Sequence, residues 1–208
     1  MARAKQTSQG SWRVFWALAA VVIATAGLTA FAGGPDVESV RRTVRLTAQM
    51  SLVLFCTAFA AGSLARLWPT DLTAAIRRNR RQIGLAFAVS HACHAAALVA
   101  FARIAPATFH EQADPAMFVF GGLAYLFIIA MAATSFDRTA AWLGPRRWRL
   151  LHLVGGYDIW LTFLVAEGKR AIHSSAYWPY VALLLVVLGL RMIAMQGRRT
   201  PAQPVPAA

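Results

Sequence analysis

Three histidines sit where an apolar chain has little reason to put them. His91 and His94 lie three residues apart inside a run of 21 residues, Gln82 to Ala102, that carries no formal charge. His152 closes the segment "LGPRRWRLLH" and opens another apolar run. An imidazole in such a place can relay protons, bond to a neighbouring helix or ligate a metal such as haem iron. Residues three apart are about 60° from each other around a helix, so His91 and His94 can face one neighbour. They cannot ligate opposite sides of one iron. The second ligand must come from another helix, and His152 is the remaining histidine within an apolar run.

The elements that carry these residues read as membrane spans. The 208-residue chain is 58% hydrophobic with a mean hydropathy of +0.52. About 20 apolar residues cross a hydrocarbon core of ~30 Å as a helix. Six runs meet that length: Val14 to Ala32, Leu46 to Ala65, Gln82 to Ala102, Pro115 to Phe136, Leu150 to Ala166 and Ser174 to Leu190. The fifth is the weakest, interrupted by Gly155-Gly156 and Asp158. The first has a basic start, but its apolar part exceeds a usual secretory signal core and reads as a retained anchor. The expected fold is an all-α integral membrane protein, a six-transmembrane-helix bundle over residues 14–195. It has a cytoplasmic N-terminus (1–13) and a Pro/Ala-rich, disordered tail (196–208).

Charge sets the orientation. With six spans, 15 of the 21 Lys and Arg residues fall on the side that holds both termini, and 6 on the other. The positive-inside rule makes that side the cytoplasm, giving N-in and C-in. The net charge of +13 is thus explained by membrane topology and calls for no nucleic acid. Cys56 and Cys93 both lie within spans and have no CxxC spacing, so neither a disulfide nor a zinc site is indicated. No GxGxxG motif suggests a nucleotide domain.

Spans three and five run in the same direction, so depths can be compared. At 1.5 Å per residue, His91 lies about 15 Å beyond Arg81 and His94 about 20 Å, while His152 lies about 5 Å beyond Arg149. Depth alone favours His91 as the partner of His152.

The segments "RRNRRQIGLAFAVSHACH" and "MAATSFDRTAAWLGPRRWRLLHLVGGY", with the six-span plan, resemble the ferric reductase-like transmembrane domain over about residues 41–190. That family includes the MsrQ-type haem subunits, of which this would be a divergent member. The resemblance rests on Arg80, Arg81, Gly84 and Leu85 at the turn into span three, and on Thr134, Ser135, Leu143, Gly144, Trp148, Leu151 and His152 before and within span five. It implies b-type haem held between histidines of spans three and five, at positions matched here by His94 and His152. A second span-five histidine is expected about 13 residues on, where Val165 stands, so one haem b is the expectation. Arg81 and Arg147, with Arg77, Arg78, Arg80 and Arg149, are candidates to pair its propionates.

The function so implied is electron transfer in a bacterial inner membrane. The donor would be a quinol or a separate reductase and the acceptor a partner protein, with quinone a candidate second cofactor. The competing reading is a non-redox assembly factor or small transporter that keeps the bundle without haem. A transporter should show an inverted repeat or paired broken helices, and only the Gly155-Gly156 break stands out. Asp158, and His110, Glu111, Asp114 and His173 near the opposite surface, are weaker candidates for proton or metal chemistry.

Overall fold

The computed structural model describes residues 2–34, 36–112 and 115–196, and among these it contains helices and no strand. α1 (Ala2–Ala32), α2 (Val37–Leu67), α4 (Arg80–Ile104), α6 (Pro115–Ala133), α8 (Pro145–His173) and α9 (Trp178–Gln196) are the long helices. Three short ones lie between them: α3 (Asp71–Arg78), α5 (Pro106–Gln112) and α7 (Asp137–Leu143). Among the described residues five helices are long and apolar enough to cross a membrane; α6 and α7, bent by 110° at their junction, make a sixth if the pair is one span. The chain is an all-α membrane bundle.

Two differences from the sequence reading concern span five. The Gly155-Gly156 pair does not break it, and α8 runs without interruption for 29 residues. Nor does the charge at Glu167 end it. Glycine costs a helix interior only about 1 kcal/mol, and here the missing side chains are used for packing. A Cβ on Gly155 would lie 2.7 Å from Met131 Sδ and 2.9 Å from Phe127 Cδ1, so α6 approaches α8 through that notch.

Local chemistry sets the turns. Asp36 caps α2 by accepting from the Ser39 amide at 2.6 Å. Ser39 in turn occupies the space a Cβ on Gly33 would need. Thr70 and Thr73 form a reciprocal capping box at the start of α3. Gly144, at φ 79°, ends α7 and places Pro145 at the first turn of α8, where a missing N–H costs nothing. Trp148 Nε1 then donates to the Thr134 carbonyl at 2.9 Å, tying the entry of α8 to the end of α6.

α2 is the central helix. Its buried residues Val44, Thr47, Ala48, Ser51, Leu52, Phe55, Cys56, Phe59, Ala60 and Ser63 follow helical spacing. The small and hydroxyl-bearing part of that stripe meets α4 closely, as helix pairs in lipid do. Ser51 donates to the Ser90 hydroxyl at 2.9 Å across this seam. The aromatic part forms the core, in which the Phe55 ring lies 5.2 Å from Phe59, 5.5 Å from Phe87 and 5.6 Å from Phe163.

Candidate functional site

α4 and α8 start at the same arginine-rich end of the bundle, and their first turns frame a cavity of about 330 Å³. Phe55, Ala58 and Phe59 of α2, Gly84, Phe87 and Ala88 of α4, Ile128, Met131 and Ser135 on the α6 side, and Trp148, His152, Gly156 and Ile159 of α8 line it. Arg77, Arg78, Arg80 and Arg81 complete the lining. The volume is at the lower end of the range of small-molecule sites, about 300–1,000 Å³. An apolar chamber with one imidazole and a cationic rim is the result.

His152 is half-buried in this wall. Its ring centroid lies 4.2 Å from Trp148, and its Nε2 is 3.5 Å from the Thr134 hydroxyl, the outer limit of a hydrogen bond. Thr134 spends its own proton on the Ala130 carbonyl at 2.7 Å. Arg81 is held by Asp137 at 2.9 Å and lies over the rings of Trp12 and Phe136, both at 5.6 Å. Arg147 is exposed and takes no part in the lining.

His91 and His94 stand elsewhere. Phe87 is part of the cavity wall, and His91 is the next turn of α4, its ring 5.5 Å from that of Phe87. The His91 ring also lies 4.7 Å from Tyr125 and 5.9 Å from Phe163, and its Nδ1 is buried without a hydrogen-bond partner. The structure brings His91 and His94 together, with centroids 5.3 Å apart, while His152 lines the cavity without either of them.

His94 has a fixed tautomer. Its Nδ1 is 3.1 Å from the Val44 carbonyl, which can only accept, so Nδ1 carries the proton. The Thr47 hydroxyl, 3.2 Å away, is committed to the Thr43 carbonyl and shares that proton as a second acceptor. Nε2 keeps its lone pair, the arrangement found in metal-ligating histidines anchored through the other ring nitrogen.

Two charged residues with no visible role in the sequence belong to the interior. Glu167, 1% exposed, pairs with Arg170 at 2.8 Å and leaves Oε2 buried without a partner. Arg191 donates to the Phe59 carbonyl at 2.9 Å with its guanidinium 4.0 Å from the Phe59 ring centre and 5.2 Å from that of Tyr157. Asp158 has a buried Oδ2 with no partner, while Trp160 donates to the Leu184 carbonyl instead. His110, Glu111 and His173 are exposed, and Asp114 lies outside the described residues. Among the described residues no group of three or more His, Cys, Asp or Glu is placed to hold a metal ion.

An apolar helical bundle with a histidine-bearing cavity at its basic end defines the class: a membrane component built around a buried site. Residues 44–164 match the family model described as the ferric reductase like transmembrane component, and the chain belongs to that family. The matched segment contains the cavity helices and all three in-span histidines, and stops one residue before Val165. No curated protein and no solved structure matches the chain.

Proposed function

We propose that the protein is a haem b-binding electron-transfer component of a bacterial inner membrane, related to the MsrQ-type subunits and divergent from them. The supporting observation is the cavity itself, inside the family-matched segment: one imidazole, apolar walls and four guanidinium groups. Those residues fit a flat apolar macrocycle that carries an iron and two carboxylates. When bound, haem supplies a one-electron carrier whose potential depends on axial ligation, burial and nearby charge.

The chain's own residues divide the remaining work. His152 would offer a ring nitrogen to the iron, and Trp148 packed on its ring restricts rotation. Arg77, Arg78, Arg80 and Arg81, which line the cavity, would neutralise the propionates. Phe55, Phe59, Phe87, Ile128 and Ile159 exclude water, and exclusion of water strengthens each charge interaction at the rim. With the arginine-rich end in the cytoplasm and six spans, both termini are cytoplasmic and an electron enters near that face. The donor is a quinol or a separate reductase, and the acceptor is a partner protein.

His94 supports a second reading. Its Nδ1–H anchored on Val44 leaves Nε2 ready to ligate, which suits a separate centre in the other half of the bundle. The decisive experiment for both is the dithionite-reduced minus oxidised spectrum of protein purified with haem supplied during expression. A Soret and α-band difference, lost in His152→Ala, is expected. Colourless protein would favour the non-redox reading of the bundle.

A further inference from the structure

The walls of the cavity differ in what they can give an iron, and this extends the haem-binding reading above. His152 stands on α8. Met131 of α6 is the other lining residue with a soft donor atom, but its sulfur lies at the Gly155 notch, 2.7 Å from where a Cβ would be. That puts it against the same α8 surface about one turn past His152, so it cannot approach from the opposite side. The Ser135 hydroxyl is committed to the Met131 carbonyl at 2.6 Å. The arginines stay protonated and do not ligate.

The facing wall, from α2 and α4, consists of Phe55, Ala58, Phe59, Gly84, Phe87 and Ala88. None of these side chains has an atom that binds iron. The nearest imidazole on α4 is His91, one turn beyond Phe87. Two imidazoles on one metal need their nitrogens about 4 Å apart, twice a metal–nitrogen bond of ~2.0–2.1 Å. His91 packs behind Phe87 and is not among the residues that line the cavity with His152.

We infer that a haem iron in this cavity would find one protein ligand, His152, and that the phenylalanine and alanine wall of α2 and α4 would leave room on it for a small uncharged molecule. The chemical class is a diatomic gas. The side chains of that wall offer an anion no hydrogen-bond donor. Such a molecule would bind through a lone pair alone, with no proton moved and no electron transferred.

The test uses the full chain purified with haem, and carbon monoxide as the probe. The expected result is a high-spin oxidised spectrum, and a dithionite-reduced Soret band that shifts on adding carbon monoxide. His91→Ala and His94→Ala should keep that response, because neither residue touches the cavity. Ala88→His, which places an imidazole on the facing wall, should turn the spectrum low-spin and abolish the shift. A low-spin wild-type spectrum indifferent to carbon monoxide would overturn the inference while leaving haem binding intact. Loss of the carbon monoxide response in His94→Ala or His91→Ala would also overturn it. Protein that takes up no haem would overturn the haem-binding reading, and the inference with it.

Discussion

The adjacent glycines of α8 should respond in opposite ways to one added methyl group. At Gly155 the new Cβ would sit 2.9 Å from Phe127 Cδ1 and 2.7 Å from Met131 Sδ. Ordinary carbon contacts are about 3.5–4.0 Å, so α6 must retreat by about 0.6–1 Å or Phe127 must leave its rotamer. Overpacking of this kind costs about 1–3 kcal/mol. At Gly156 the Cβ would meet Phe59 Cε2 at 3.4 Å, close to ordinary contact, and the added methyl fills space without displacing a helix. Gly156→Ala should therefore be neutral or stabilise by up to about 1 kcal/mol, the helix-propensity gain of alanine. Helix propensity favours alanine equally at both positions and cancels between them. The assay is reversible unfolding in mixed micelles titrated with a denaturing detergent, with helix content and a tryptophan signal followed together. Gly155→Ala should unfold at clearly lower detergent than Gly156→Ala. Equal midpoints, or a larger loss at Gly156, would refute the close approach of α6 to α8.

Three further expectations each rest on a single feature. A reporter active only in the cytoplasm should work when fused after Arg199 and be silent near Glu111; the opposite pattern would reject six spans with both termini inside. Glu167→Ala removes the partner of Arg170, but Arg170 is 38% exposed and can rehydrate. The loss should thus fall to about 1–2 kcal/mol in the same unfolding assay, below the 3–5 kcal/mol of a fully buried pair. Glu167→Gln should recover most of it, and an unchanged midpoint in the alanine variant would show the pair to be idle. Arg191→Leu gives up both a charged hydrogen bond to a carbonyl and contact with two rings, and should destabilise by about 1–3 kcal/mol in that titration.

The spans are legible in the sequence because a run of about 20 apolar residues matches the thickness of the hydrocarbon core. Their ends are not. The apolar runs stop at Ala166 and Leu190, whereas the helices continue to His173 and Gln196. Glu167 and Arg191 mark boundaries in the sequence because a charge in hydrocarbon is costly, yet one is neutralised by its own helix and the other rests on aromatic faces. Composition does not reveal such partners. Gly155-Gly156 likewise resembles a break in the sequence because the residues that pack against it, Phe127, Met131 and Phe59, lie on other helices.

For the site, the histidines themselves are visible in the sequence and their relative depth is partly so. Counting at 1.5 Å per residue already sets His152 nearer the arginine end than His91 or His94, and of the three only His152 lines the cavity there. The tautomer of His94 is beyond the reach of sequence, since it depends on a carbonyl 50 residues away. Arg81 belongs to the rim as its position suggests, whereas Arg147 is exposed outside the cavity lining. Nothing in the spacing of two arginines on the entry turns of α4 and α8 separates them.

The haem content of two purified variants, His152→Ala and His94→Ala, measured as pyridine haemochromogen per protein, tests the central claim most directly. Haem should be lost from His152→Ala, with membrane insertion unchanged, and retained at the parent level in His94→Ala. Full haem in His152→Ala, with loss confined to His94→Ala, would contradict the account and move the cofactor out of the arginine-rimmed cavity.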